Sequence, residues 1–359
     1  MRILVTINCV GVDASAANGI AVARMMSESG HEVAIQAAPG GPVSKAAAEL
    51  DLICMPLNLQ KAAFAGGLIP YWKLLKRFNP DVICTTRADG QTASAMIAGG
   101  IPSIRIRCDI RKPRFGRVWK YIDRRTNLVV FPSPFMIKRD YIGEREGGVA
   151  VIPHPVDTDF FTPADDRETI EPLLVSIGRL SPMKGHRTLI RAMKLLPDNV
   201  RAVIAGAPSQ QSTAELQSFA RTLGVEKRIT FAGKVEDVRD IYAKGTIGIV
   251  TSLGSEVVSR AGLEMMSSEL PLLAAATNGL LDLVQDGSTG LYHSPGNYIQ
   301  LASQAEFLLR NPSMARRMGR KARRTCLDSY SYPVVAEKWN YVLKQLTEGN
   351  KIPSRRYHQ

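Results

Sequence analysis

Short runs of aliphatic and β-branched residues alternate along this chain with segments whose apolar positions recur at helical spacing. Ile3 to Ile7 is followed by a helical pattern from Ala16 to Ser29 and by a second run from Glu32 to Gln36. Asp81 to Thr85 leads into a helical pattern from Gln91 to Ala98, and further runs stand at Ser103 to Ile106, Leu128 to Phe131 and Val149 to Ile152. This rhythm predicts βαβ units and an open parallel sheet, because parallel strands need helical crossovers and, covered on both faces, read as continuous apolar runs.

The rhythm breaks at Pro153 to Pro163, and a charged stretch continues to Glu171. Its prolines exclude it from a central strand or a helix interior, so an interdomain linker is expected there. Alternation then restarts with Leu173 to Ile177, a helix from His186 to Leu195, Arg201 to Ala205, a helix from Glu215 to Leu223, Ile229 to Phe231, Ile247 to Val250 and Pro271 to Ala274. Beyond Tyr292 the spacing is helical only, over Ile299 to Leu309, Met314 to Ser329 and Val334 to Leu346. The expected fold is α/β, with two doubly wound parallel-sheet domains at 1–160 and 161–330, a C-terminal helix at 331–348 packing back toward the first domain, and a basic, flexible tail at 349–359. Two open sheets of this kind carry their ligand crevices at the carboxyl ends of the strands, which makes the cleft between the domains the expected active site.

Composition adds a strong basic excess: 46 Lys and Arg against 33 Asp and Glu in 359 residues, a net charge of +13. With 45% hydrophobic and 22% charged residues, the chain reads as globular rather than disordered or fibrous. The excess is compatible with an anionic surface, nucleic acid or phosphorylated substrates. Five widely spaced cysteines, odd in number and mostly within apolar runs, suggest neither a disulfide framework nor a zinc site, and a reducing cytoplasm is expected. The apolar start from Ile3 to Ile7 soon meets Asn8, Gly11 and Asp13, so it is read as a buried strand rather than a signal segment.

Two segments carry candidate chemistry. After the Ile247 to Val250 run, the stretch from Thr251 to Met266 contains Glu256 and Glu264 in a pattern that predicts a helix beginning near Glu256. On such a helix the carboxylates would stand about 12 Å apart along the axis, and the free N–H groups of Val257, Val258 and Ser259 would favour a phosphate lying between them. Equally, Glu256 reads as an acid complementing the helix macrodipole and Glu264 as part of a solvated face. The second segment, Gly178 to His186, sets Arg179 and Lys184 in a glycine-bounded turn after a strand, which suits a diphosphate, or else is ordinary surface charge. Asp157 and Asp159 lie in the linker, where a turn or cap explains them better than a metal site.

These residues resemble the retaining glycosyltransferases of family 4, whose fold is GT-B: two Rossmann-like domains facing across a cleft. A pair of glutamates with seven residues between them sits in that family where Glu256 and Glu264 sit here, the first implied to hold donor-sugar hydroxyls and the second the ribose. Arg179 and Lys184 resemble the family's basic pair on the donor diphosphate, and the turns containing Gly206, Gly233 and Val235 resemble its glycine turns, the second near the nucleobase. Gly178, Val257, Val258 and Ser259 complete the implied donor site. The family's Gly-Phe-Gly after the first glutamate is replaced by Val257-Val258-Ser259, and its glycine-rich acceptor loop is thinned to Asn18-Gly19. Where a histidine often follows the strand matching Ser103 to Ile106, this chain has Arg105, Arg107 and Asp109, and Asp109 is the nearest group able to accept a proton or contact the reacting sugar. Domain 1–160 is thus implied to bind the acceptor through Asn18, Gly19, Arg105, Arg107 and Asp109, and domain 161–330 the nucleotide sugar, with Asp109, Arg179, Lys184 and Glu256 as catalytic candidates and no metal or other cofactor.

Between Arg105 and Arg125 nine cations face only Asp109 and Asp123, which suits a lipid-linked acceptor at an anionic membrane or, equally, a solvated basic helix. The run from Arg316 to Arg324 is read as a solvated helix face. The expected function is retaining, metal-independent transfer from a nucleotide-diphosphate sugar, UDP-sugar by family frequency, to a glycan or glycolipid of a bacterial lipopolysaccharide or envelope polysaccharide. The enzyme would be cytoplasmic or peripheral on the inner face of the plasma membrane. A nucleotide-sugar 2-epimerase of the same architecture is the alternative. A non-catalytic nucleic-acid binder is disfavoured by the 6% aromatic content and the cations at strand ends.

Overall fold

The computed structural model describes residues 1–9, 11, 13–59, 68–108, 116–139, 147–164, 171–254, 256–350 and 352. It divides into two compact units, Met1–Pro155 joined by the chain from Tyr332 onward, and Val156–Ser331.

The first unit holds seven strands: β1 (Arg2–Ile7), β2 (Glu32–Ala37), β3 (Ile53–Pro56), β4 (Val82–Thr85), β5 (Ser103–Ile106), β6 (Leu128–Phe131) and β7 (Gly148–Val151). They form one sheet in the order β3-β2-β1-β4-β5-β6-β7, and every neighbouring pair is parallel. The sequence pattern did not announce β3. It is an edge strand with no buried residue, ending in Pro56, a residue that an edge tolerates because no neighbour needs its N–H.

Alternate residues of β1 build two cores. Ile3, Val5 and Ile7 meet the Ala14–Glu28 helix and the C-terminal helix Tyr332–Thr347, while Leu4 joins Ile83, Tyr71, Leu74 and Phe78 on the opposite face. The C-terminal helix buries Val335, Ala336, Trp339, Val342 and Leu343. At about 1.5–3 kcal/mol for each large apolar side chain fully buried, this helix is an integral part of the first unit's core.

The second unit holds β8 (Leu173–Ile177), β9 (Arg201–Ala205), β10 (Ile229–Gly233), β11 (Ile247–Val250), β12 (Leu272–Ala275) and β13 (Gly290–His293). Their order is β10-β9-β8-β11-β12-β13, again parallel throughout. The four-residue β13, absent from the sequence reading, begins on a glycine after a turn and forms the sheet's edge, so it shows little strand periodicity.

Val156, at the first crossing between the units, donates its N–H to the Tyr330 carbonyl at 2.8 Å, next to the second crossing. Asp157 closes a turn by accepting from the backbone N–H groups of Asp159 and Phe160. Arg323 corrects the expectation of a fully solvated basic run. It stands beside the buried stripe of Gly319, Ala322 and Cys326 on the Pro312–Ser329 helix and donates to the carbonyls of Ser267 at 2.6 Å and Phe161 at 3.1 Å. The Ser267 carbonyl lies in the last turn of a helix, where free carbonyls attract a cation. All five cysteines are free thiols. Among the described residues, no helix is long and apolar enough to cross a membrane.

Candidate active site

Strand order in the second sheet reverses between β8 and β11, and open α/β sheets hold ligands beyond the carboxyl ends of the strands at such a reversal. The turns leaving these two strands carry the basic pair and the first glutamate. Lys184 closes a 3-10 turn, Pro182–Lys184, before the His186–Met193 helix, and its Nζ forms a close ion pair with Glu256 Oε1 across 72 residues of sequence. Ser252 donates its hydroxyl to the same oxygen at 2.6 Å. The turns are also joined through their backbones: Thr251 Oγ1 donates to the Lys184 carbonyl at 3.0 Å, and the Leu253 N–H donates to the Met183 carbonyl at 2.8 Å. The Glu256 side chain is 4% exposed and that of Lys184 26%. The carboxylate is therefore interior, and the ammonium, with donors beyond the one given to Glu256, stands at the surface.

The helix expected to begin near Glu256 begins instead at Arg260 and runs to Ser267, with Ser259 as its N-cap accepting from the Gly262 N–H at 3.2 Å. Serine is a far better N-cap than glutamate, and the Glu256 carbonyl is engaged by the Gly279 N–H at 2.9 Å. Val257, Val258 and Ser259 therefore precede the helix and do not supply its first-turn N–H groups. Val257 is buried, Val258 packs against the neighbouring apolar cluster, and the 12 Å axial separation of the carboxylates does not apply. Neither bland reading of the glutamates holds: Glu256 is an interior ion-pair partner outside the helix, and Glu264 is buried rather than solvated.

Glu264 accepts the Tyr242 hydroxyl on Oε2 at 2.8 Å and pairs through Oε1 with Arg260, one helical turn back, at 3.3 Å. Burial, followed by the neighbouring Glu264 charge, pushes the Tyr242 hydroxyl well above its ordinary range, so it stays a donor and fixes the carboxylate's orientation. Gly178, Gly206 and Gly233 meet at the ends of β8, β9 and β10. Gly206 donates to the Gly233 carbonyl at 2.7 Å, and Gly178 donates to the Ala205 carbonyl at 2.9 Å. A Cβ on Gly206 would stand 1.9 Å from the Gly178 carbonyl oxygen, so only glycine permits this approach. Val235, two residues beyond Gly233, is half-buried.

Arg179 is exposed, and its guanidinium makes no ion pair with any described residue. Its carbonyl accepts from Nε2 of buried His186 at 3.3 Å, while His186 Nδ1 faces the Ser176 hydroxyl at 3.4 Å. Burial pushes His186 down from 6.5 to about 4. The folded imidazole thus stays neutral where the unfolded one takes up a proton. Its contribution to stability is complete above pH 6.5 and lost as pH falls toward 4, by about 3 kcal/mol in all. Urea unfolding at pH 7 and pH 5 is expected to show about 2 kcal/mol of this loss, and His186→Gln to flatten the dependence; an identical pH slope in the variant would refute the assignment.

In the first unit, Asn18 is buried and its amide donates to Cys108 Sγ, while Gly19 packs so closely on Ile7 and Thr86 that a Cβ would stand 2.8 Å from each side chain. Arg105 is buried within β5, its guanidinium on the carbonyls of Thr85 and Ile106 at 3.2 and 3.1 Å, so the basic run from 105 to 125 is not one solvated helix. Arg107 is half-buried just beyond β5. Asp109 lies outside the described residues. Sequence reasoning missed a polar group where β1 and β4, the reversal point of the first sheet, end: Arg87 pairs with Asp13 at 2.9 Å, and Asn8 donates to Asp89 at 2.7 Å. It also missed Tyr242 and Ser252. Their only local signal is a polar residue next to an apolar run, which is too common to single them out.

Residues 159–325 match the family model described as glycosyl transferases group 1. A D-inositol 3-phosphate glycosyltransferase of Mycobacterium sp. (strain JLS) is 34% identical over 184 residues, covering 46% of this chain and 40% of the relative. Its counterpart from Streptomyces avermitilis is 30% identical over 212 residues, covering 52% and 44%. The chain thus spans well under half the length of these curated relatives. Among solved structures, Anabaena Alr3699/HepE in complex with UDP superposes with a TM-score of 0.85 at 19% identity, covering 96% of this chain and 100% of that one. The lipopolysaccharide outer core galactosyltransferase WaaB superposes with a TM-score of 0.71 at 14% identity, covering 96% and 100%. Residues 159–325 thus carry the match to glycosyl transferases group 1, and the two parallel-sheet units share the GT-B architecture of these solved structures.

Proposed function

We propose that this chain transfers a sugar from a nucleotide-diphosphate sugar, UDP-sugar being favoured, to a hydroxyl of a glycan or glycolipid, with retention at the anomeric carbon and without a metal. The observation that carries the reading is the Lys184–Glu256 pair at the strand reversal of the second sheet, flanked by exposed Arg179. Arg179 and Lys184 neutralise the charge that grows on the diphosphate as the sugar–oxygen bond breaks, a preorganised role that costs no reorganisation at the moment of reaction. Glu256 orients the Lys184 ammonium and accepts from the donor sugar's hydroxyls. Glu264, held by Tyr242 and Arg260, accepts from the ribose, and the backbone at Gly178, Gly206, Gly233 and Val235 meets the nucleotide.

The acceptor hydroxyl attacks the anomeric carbon from the face the diphosphate leaves, and its proton passes to the departing phosphate oxygen. Asn18, Gly19, Arg107 and Asp109 are assigned to the acceptor side, Asp109 because it follows in sequence the strand after which the family often has a histidine, whereas Arg105 is committed to backbone carbonyls within β5. A lipopolysaccharide or envelope-polysaccharide acceptor fits the basic first unit and the likeness to WaaB, a lipopolysaccharide outer core galactosyltransferase. The HepE structures in complex with UDP and with UDP-glucose support the donor class.

The test follows the anomeric proton by NMR in a chelator, with UDP-sugars offered alongside candidate glycolipid acceptors. A product with the donor's anomeric configuration and unchanged turnover is expected. Inversion would overturn the stereochemistry, activity restored only by manganese would overturn metal independence, and epimerised donor in the absence of acceptor would assign the chain to the 2-epimerases.

A further inference from the structure

The helices Leu68–Phe78, Ala88–Ile97 and Arg117–Arg124 pack side by side over one face of the first sheet. Their inner residues, among them Tyr71, Leu74, Phe78 and Ala93, fill the core beneath. Their outer side is not what a solvated surface needs. Trp72 is 48% exposed and Val118 68%, and Ile69, Met96 and Tyr121 are also exposed large apolar side chains. Between them stand exposed Lys73, Lys76, Arg77, Arg117 and Lys120, none of which pairs with a carboxylate among the described residues. The Lys76 ammonium lies 5.9 Å from the Trp72 ring centroid, and the Arg125 guanidinium 4.6 Å from that of Tyr121. The carboxylates on these helices are half-buried: Asp123, which has partners of its own, and Asp89, which holds the Asn8 amide.

We propose that this three-helix face docks on an anionic phospholipid bilayer, Ile69, Trp72, Val118 and Tyr121 entering the headgroup region while the cations meet lipid phosphates. Aromatic rings bearing a polar edge, mixed with long cationic side chains that extend their charge outward, are the composition favoured at a membrane–water interface. A protein partner fits less well, because lysine is depleted from the core of protein interfaces, and this patch interleaves three lysines with its apolar residues. The charge is complementary to an acidic leaflet, and each cation near such a surface adds to the attraction. The face differs from the basic run legible in the sequence: Arg105 is interior, and three of the five cations, Lys73, Lys76 and Arg77, come from a helix some forty residues earlier. The proposal deepens the glycolipid-acceptor reading but is tested without it, since no donor or acceptor is needed.

The experiment is co-sedimentation of the full chain with vesicles of phosphatidylcholine alone and with about one third phosphatidylglycerol, together with UDP titration of the same samples. Binding at least about tenfold tighter to the anionic vesicles is expected, weakening with salt. Lys73→Glu/Lys76→Glu is expected to abolish the preference, and Trp72→Ser to weaken binding even at low salt. Both variants should keep the wild-type melting temperature and UDP affinity, since the side chains are exposed and lie outside the second unit. Equal failure to bind either vesicle, or anionic binding untouched by both variants, would overturn the proposal. So would a wild-type dimer on gel filtration that Trp72→Ser dissociates, which would assign the face to a second copy of the chain. Loss of UDP binding by the wild type would instead sink the transferase reading and leave the vesicle result standing.

Discussion

Lys184→Ala is expected to lower kcat/KM with the true donor by about 100- to 1000-fold, the range seen when one preorganised donor to a developing oxyanion is removed. The size follows from the surroundings of the ammonium. Glu256, itself held by the Ser252 hydroxyl, receives the ammonium, and Thr251 Oγ1 anchors the Lys184 backbone carbonyl, so the charge is in place before the diphosphate departs. Lys184→Arg is expected to restore little, because a planar guanidinium cannot replace a compact ammonium seated on a single carboxylate oxygen.

The same substitution leaves Glu256 buried with only Ser252 as a side-chain partner and should cost about 1–3 kcal/mol of stability. A double-mutant cycle with Glu256→Gln separates the two effects. Coupling in stability but a much smaller second loss in kcat/KM would show that the pair acts as a unit. Full turnover in both Lys184→Ala and Glu256→Ala would remove the donor-site assignment altogether.

Gly185→Ala should produce a large loss of stability. Gly185 adopts φ +70°, a left-handed conformation costing a residue with a Cβ about 1–2 kcal/mol. Its Cβ would also stand 2.0 Å from the Thr251 carbonyl oxygen, which belongs to the strand end facing it. Neither atom is the movable end of a flexible side chain, so the turn bearing Lys184 must shift away from the one bearing Glu256. A loss of about 3 kcal/mol or more, or roughly 6–12 °C in melting temperature for a unit of this size, is expected together with loss of UDP binding. A variant that melts within about 2 °C of wild type and binds UDP normally would show that the two turns are not held together as described.

Much of the architecture was legible along the chain. The strands of the sheet centres announce themselves because parallel strands buried on both faces must be continuously apolar, as in Ile3–Ile7 and Ile247–Val250. The edge strands Ile53–Pro56 and Gly290–His293 escaped because an edge needs neither a full apolar run nor every backbone donor. The turn from Gly178 to Gly185 was readable as a cationic, glycine-bounded loop. The start of the helix in the stretch from Thr251 to Met266 was misread, because an acidic residue after a loop resembles a helix start unless Ser259 is weighed as the stronger cap. Arg105 was read as an acceptor contact and Arg323 as part of a solvated face, since nothing in their neighbours in sequence reveals the backbone carbonyls that receive them.

Residue order along the chain sets the succession of strands and crossover helices, the proline-rich crossing between the units and the residue types available for an anionic ligand. Each of these is written in spacings of a few residues and in the local demands of glycine, proline and capping side chains. Only the tertiary structure decided that Glu256 is buried on Lys184, that Tyr242 holds Glu264, and that cations and aromatic rings from helices far apart in sequence share one exposed face. Those contacts join positions brought together by sheet order, and a contact across 72 residues leaves no periodic trace in the chain that makes it.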